Sequence, residues 1–343
     1  MNSMSKNVLT GLGFGVLGYA LYTLTRNTVR YCNFKEKVVV ISGGSRGLGL
    51  VLAKEFAKEG AIIYLLARDG EELRRAQNQL QFEVPNCTVF FSICDSTRPS
   101  DVQNALREAY AYYGRIDVIV NNAGVITTAP YENSSAEDFE ESLRVHFWAA
   151  YNMTEAALPY LRESQAPRII NISSIGGKIG VPHLSSYCVG KFALAGYSET
   201  LRAELMRENI YVTSVYPGLM RTGSFGHATF KGQYRKEYAW FSIADSLPLL
   251  TVSAEKAARD IVNAARIGRA ELVISTPAKL ATRFARAAPE IFSDIMSLTN
   301  AFLPSPSETE QKVEGRGAHS ALSPSPITRL SERAARRNNE QSI

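Results

Sequence analysis

From residue 38 to residue 275, short apolar runs alternate with helical patterns, and this alternation limits the fold more than any other feature. The apolar runs lie at 38–42, 62–66, 88–93, 117–120, 168–172, 211–216 and 271–275. Helical patterns fill the intervals at 48–58, 71–81, 99–113, 136–161, 185–207 and 254–266. Short, mostly apolar runs of this kind, bounded by helical patterns, make strands buried on both faces. Such strands need helices above and below, and their crossovers are right-handed. The expected fold class is therefore α/β: a doubly wound parallel sheet of about seven strands. No solenoid-type repeat is visible.

The two ends lie outside this pattern. Asn7 to Thr25 carries no charge. As a helix it would span roughly 29 Å, close to a bilayer core of about 30 Å. Thr25, Arg26 and Asn27 make a poor cleavage site, which speaks against a removed signal peptide. Residues 1–36 are expected to form an N-terminal hydrophobic helix that anchors the chain in a membrane, followed by a linker. Gly11 and Gly15 form one weak helix-packing pair. Lys6 precedes the segment, and Arg26, Arg30, Lys35 and Lys37 follow it. The positive-inside rule then places the catalytic bulk in the cytoplasm. At the other end, 304–343 has no Phe, Trp or Tyr and is rich in Ser, Pro, Glu and Arg, so a disordered tail is expected. The formal charge of +5 divides into +3 over residues 1–36 and +1 over each of 37–303 and 304–343. The basic excess reads as a topology signal, and no nucleic-acid partner is expected. Four scattered cysteines without C-x-x-C spacing exclude a disulfide scaffold, and no metal site is expected.

Ser42-Gly43-Gly44-Ser45-Arg46-Gly47-Leu48-Gly49 stands between the first strand and the first helix. Glycines let the backbone approach a diphosphate, and the helix N-terminus offers free N–H groups and the positive end of its dipole. The spacing is G-x-x-x-G-x-G, and its place between strand and helix points to a dinucleotide site in a Rossmann fold. The acidic residue that would grip a ribose 2′-hydroxyl is replaced by Ala67, followed by Arg68. Two guanidinium groups, Arg46 and Arg68, suit a 2′-phosphate, so the expected cofactor is NADP(H).

Asn171-Ile172-Ser173-Ser174 ends the fifth strand, and Tyr187 and Lys191 follow four residues apart on one helix face. Tyr-x-x-x-Lys alone is weak, because Tyr31 and Lys35 repeat it before the fold begins. Together with the glycine loop, Asp95, Asn121-Asn122-Ala123-Gly124, Ser174 and Pro217-Gly218 with Thr222, the chain resembles the short-chain dehydrogenase/reductase family over 36–275, and its membrane-associated NADP(H)-dependent members in particular. The resemblance implies that Ser174 bonds the substrate oxygen and that Tyr187 is the general acid in reduction and the base in oxidation. It implies that Lys191 favours the phenolate and holds the nicotinamide ribose. Asp95 would contact adenine, Asn121, Ala123 and Gly124 would line the cofactor, and Pro217, Gly218 and Thr222 would meet the nicotinamide end. His146 stands where many relatives carry an asparagine that holds a relay water behind the lysine. An imidazole can both donate and accept, so His146 joins the candidate catalytic residues, with a backbone-bonded core histidine as the plain reading.

Between 223 and 250, Phe225, Phe230, Tyr234, Tyr238, Trp240 and Phe241 suit an apolar lid over the substrate. The Rossmann domain is thus expected over 37–276. An amphipathic helix should follow over 277–303, bent at Pro289, which packs on the domain, pairs two subunits or lies on a membrane. The expected activity is NADPH-dependent interconversion of a lipophilic ketone and a secondary alcohol, of ketoacyl, long-chain lipid or steroid type, placing the chain in lipid metabolism. A homodimer or homotetramer is expected. The alternative is a catalytically silent NADP(H)-binding scaffold or redox sensor, favoured by His146 alone.

Overall fold

The seven expected strands are β1 (Val38–Ser42), β2 (Ile62–Ala67), β3 (Val89–Ile93), β4 (Val118–Asn121), β5 (Arg168–Ile172), β6 (Tyr211–Pro217) and β7 (Glu271–Ile274). They form one sheet in the order β7-β6-β5-β4-β1-β2-β3, with every neighbouring pair parallel. This computed structural model describes residue 21 and residues 23–340, apart from 249, 310, 321, 322, 324, 326 and 327. Most of the hydrophobic segment at 7–25 therefore lies outside the described residues. Among the described residues no helix is long and apolar enough to cross a membrane.

Strand β1 explains the layering. All five of its residues are buried. Val39 and Ile41 point into one layer, where Leu52 and Phe56 of α1 (Gly47–Lys58) and Ala257, Ala258 and Ile261 further along the chain close the core. Val38 and Val40 point the other way, onto Val102, Leu106, Met153 and Ala157. Burying each such aliphatic side chain contributes about 1.5–3 kcal/mol, so a strand that reads as apolar throughout needs both layers. The first layer is completed by α2 (Gly70–Glu83); the second is built on α3 (Pro99–Tyr113). From β1 the chain moves outward to β2 and β3, and from β4 it moves outward to β5, β6 and β7. In a doubly wound sheet the ligand crevice lies where the winding reverses, here beyond the C-terminal ends of β1 and β4.

The single helix expected at 136–161 is interrupted. It divides into α4 (Ala136–Leu143), a π-helical turn over Arg144–Trp148, and α5 (Ala149–Glu163). The wide turn carries His146. After β5 runs α6 (Ser185–Leu205); within the segment 223–250, expected to form a lid, lies α7 (Tyr234–Ala244), and α8 (Ala254–Arg266) packs on α1. Below the sheet, Cys32 and Phe34 are buried, with Phe34 edge-on to Phe56 at 5.0 Å, so part of the expected linker belongs to the core. Arg168 is buried beside them and donates to the carbonyls of Ala265 (2.9 Å) and Pro167 (3.0 Å).

The bend at Pro289 occurs as expected. Helix α9 (Thr276–Ala287) ends at Ala288, and Pro289 opens α10 (Pro289–Asn300). The tail departs from expectation. Val313–Glu314 pairs with Thr229–Phe230 of the lid, and α11 (Arg329–Arg337) lies on the domain with Ser331, Ala334 and Ala335 buried. Composition gave no sign of this because the contacting residues are small or polar, and they gain their burial from the groove they enter.

Candidate active site

The crevice is edged by polar bonds between the ends of β1 and β4. The Ser42 hydroxyl donates to Val120 O (3.2 Å) and accepts from the Asn122 N–H (3.1 Å). The Asn122 amide donates to Gly43 O (2.9 Å) and Ser42 O (3.3 Å), holding the glycine loop from below. A Cβ at Gly49 would collide with the Gly43 carbonyl and the Asn122 side chain, so α1 can start this close to the loop only with glycine there. Asn122 was not among the expected site residues; its position in a doubled asparagine directly after a strand was the available signal. Asn121, the residue before it, ends β4. Its side chain turns into the sheet and donates to Asn171 Oδ1 (2.7 Å), and Asn171 donates in turn to Ser198 (2.9 Å). The buried Asn121 Nδ2 is thus satisfied, while its Oδ1 has no partner among the described residues.

At the neighbouring strand end, Arg68 is exposed, and Asp69 caps α2 by accepting from the N–H groups of Glu71 (2.8 Å) and Glu72 (2.9 Å). Ser45 donates to Glu72 (3.1 Å), and Arg46 pairs with Glu72 at 2.6 Å. Leu48 is buried on the first turn of α1. Asp95 is half-buried after β3 and accepts from Thr97 N–H (3.0 Å) and Oγ1 (2.8 Å). Burial pushes its carboxyl up, but the Thr97 bonds and the Arg68 charge outweigh this and hold it below the usual range. Ala123 and Gly124 continue from Asn122, and a Cβ on Gly124 would sit 3.2 Å from His146 and 3.6 Å from Lys191 Nζ. Pro217 ends β6, the Gly218 N–H donates to Ile274 O (3.2 Å), and Thr222 bonds Ser224 (3.0 Å).

The reactive residues meet across β5 and α6. Ser174 follows β5 and accepts from the Gly176 N–H (3.1 Å), and a Cβ on Gly176 would meet the Tyr187 ring at 3.2 Å, so the serine turn and the tyrosine are neighbours. Burial pushes the Tyr187 phenol up to about 12, against the pull of Ser174, so at neutral pH it carries a proton it can donate. Lys191 stands one turn along α6 with Nζ 5.7 Å from the Tyr187 ring centre and donates to Ile172 O (2.9 Å). Burial alone pulls its ammonium down to about 7. Ser173 donates to Lys191 O (2.9 Å) and fixes that turn of the helix.

His146 completes the cluster, edge-on to Tyr187 with ring centres 5.3 Å apart. Burial first, then the Lys191 charge, holds it well below its usual range, so the ring is neutral. Its Nε2 accepts from the Val125 N–H (3.2 Å), which leaves the proton on Nδ1, facing Ser142 Oγ at 3.1 Å. Both nitrogens are therefore bonded to the protein, and the π-turn is what points the ring at Val125.

The lid aromatics Phe225, Phe230, Tyr238 and Phe241 are buried together with Leu184 and Cys188, and Tyr187 packs against this cluster. A buried His183–Glu237 pair (2.9 Å) and the Trp240 indole, which donates to Glu237 (2.7 Å), tie α7 to the loop that enters α6. A cavity of about 390 Å³ opens on that loop, lined by Tyr131, Val181, Pro182, His183 and Leu303.

Comparison with known proteins agrees with the fold. Residues 37–230 match the family model for short chain dehydrogenases. The fatty acyl-CoA reductase of Acinetobacter baylyi is 30% identical over 275 residues, 80% of this chain and 87% of that protein. The 3-ketodihydrosphingosine reductase of Bacteroides thetaiotaomicron is 33% identical over 189 residues, 55% of this chain; the match spans 66% of that relative, just under two thirds of its length. The crystal structure of L-sorbose reductase from Gluconobacter frateurii, complexed with NADPH and L-sorbose, superposes with a TM-score of 0.63 at 26% identity, covering 71% of this chain and 97% of that one.

Proposed function

The chain belongs to the short-chain dehydrogenase/reductase family, and on that premise we propose that it is an NADPH-dependent reductase of a lipophilic ketone. The observation that carries the proposal is the meeting of Ser174, Tyr187 and Lys191 at the end of β5, beside the glycine loop. The crevice fits a dinucleotide: the loop backbone is bare of side chains where Gly49 approaches Gly43, and α1 points its N-terminus at the loop. The loop over 43–49 would hold the diphosphate, Arg46 and Arg68 the 2′-phosphate, Asp95 the adenine, and Lys191 the nicotinamide ribose. When bound, the nicotinamide supplies the hydride. Ser174 bonds the substrate oxygen, and Tyr187 donates its proton to that oxygen as negative charge develops there. Lys191, when charged, stabilises the phenolate that remains.

NADPH over NADH is supported by Ala67 and Arg68 at the end of β2 and by Asp69, the next residue, being occupied as a helix cap. The substrate class is supported by the apolar lid cluster against Tyr187 and by relatives named for reducing a ketodihydrosphingosine and a fatty acyl-CoA. The sorbose reductase is named for a sugar, so the apolar cluster carries this part of the reading. The same proposal has residues 7–25 hold the protein, as a homo-oligomer, on the cytoplasmic side of a membrane; protease protection from that side would contradict it.

The test is isotopic. NADPH deuterated at the nicotinamide C4 is incubated with the full chain and long-chain ketones, and the alcohol is examined by mass spectrometry. Deuterium on the carbinol carbon is expected. A silent NADP(H)-binding scaffold would give no labelled alcohol from any ketone.

A further inference from the structure

The first turn of α1 is not open to solvent. The Gly47 N–H, with Gly47 at φ +57°, donates to the carbonyl of Asn338 (2.9 Å), a residue almost 300 positions later. The side chain of Asn339 donates to Ser45 O (2.8 Å) and to Glu72 O (3.1 Å), and accepts from Arg75 Nε (3.2 Å). The carboxylate of Glu340 is buried directly over Gly47, so close that any Cβ there would collide with it. It lies 3.5 Å from Arg46 Nε and 3.3 Å from His227 Nε2. Behind this contact, Asn338 donates to Thr222 O (3.0 Å), α11 seats Ala335 on Gly223, and Ser331 donates to Asp245 O (2.9 Å).

These groups are the ones assigned above to the dinucleotide. A peptide carbonyl takes the helix N-terminal donor that a phosphate oxygen would take, and a carboxylate occupies the place of an anion beside Arg46. We propose that the segment 329–340 is an intramolecular plug of the cofactor crevice, displaced when the dinucleotide binds and competing with it when docked. This inference rests on the cofactor reading of the glycine loop.

The docked state is held, but at a cost. Burial pushes the Glu340 carboxyl up to about 7, with Arg46 pulling it back, Glu72 pushing it further and Arg316 pulling it back. Glu72 also divides the Arg46 charge between two carboxylates. A diphosphate carries more charge onto the same donors, so exchange of tail for cofactor is chemically reasonable. Apparent cofactor affinity then falls by the fraction of chains whose crevice is open.

The experiment titrates NADPH into the full chain and into two full-length variants, Ala335→Glu and Asn339→Ala/Glu340→Ala, and follows hydrogen exchange over 329–340. If nine chains in ten are closed, both variants bind about tenfold more tightly than the parent. Adding NADPH to the parent chain then lowers protection of 329–340. Equal affinity for all three chains, with the tail amides unchanged by NADPH, overturns the plug and leaves the cofactor reading standing. Binding of neither NADPH nor NADH by any of the three overturns the cofactor reading and the plug with it.

Discussion

Tyr187 and Lys191 are each displaced from their usual protonation range by the burial that brings them together. For Lys191 this has a consequence in stability. Its folded pKa of about 7 lies below the 10.5 of an ordinary lysine, so between those values the unfolded chain binds more protons than the folded one. Its burial therefore destabilises the fold at neutral pH, and that cost disappears as pH rises toward 10.5. Lys191→Met is expected to raise the unfolding free energy at pH 7 by ~2–4 kcal/mol while abolishing turnover. Denaturant titrations at pH 7 and pH 10 check this, since the advantage of the variant must shrink at the higher pH. His146 makes a separate forecast. An asparagine amide can accept from Val125 and donate to Ser142, whereas leucine leaves the Val125 N–H without a partner. His146→Leu should cost ~1–3 kcal/mol of stability, and His146→Asn much less. Equal thermal shifts for the two variants would show that the ring's bonds do not matter. If kcat follows stability in this pair, His146 positions the 121–125 loop and relays no proton.

At the scale of elements, the proposed preference for NADPH rests on the end of β2. Arg68 is exposed at the end of β2, and Asp69, the next residue, is engaged at the cap of α2. Arg68→Ala is expected to lower kcat/KM for NADPH about tenfold and to leave NADH nearly unchanged. Steady-state kinetics with both cofactors measures it, and an equal loss for both would contradict the 2′-phosphate assignment. The elements themselves were legible because each strand is a mostly apolar run and each is bounded by a turn or a helical pattern. The positions of Ser174, Tyr187 and Lys191 were legible because strand end and helix face fix them. Three features were not. The π-turn at His146 is one extra residue in a helical pattern, which periodicity does not resolve. The inward turn of Asn121 depends on a partner, Asn171, fifty residues away. The docking of α11 depends on a groove that exists only once the sheet has formed.

For the whole molecule, the reversal of winding between β1 and β4 creates one crevice, and the chain brings everything to it: the glycine loop, Ser174 and α6, the lid, and the last described residues of the tail. The exposed apolar residues of α9 and α10, including Leu280, Phe284, Ile291 and Ile295, lie in the amphipathic segment that follows the last strand. The central claim is that Tyr187 is the proton donor of a carbonyl reductase built on this crevice. It is tested most directly by comparing the full chain with Tyr187→Phe for NADPH-dependent reduction of a long-chain ketone, with the NADPH Kd measured beside it. The account predicts that kcat falls on the order of 10²–10⁴-fold while Kd is unchanged; a kcat equal to that of the parent chain would contradict it.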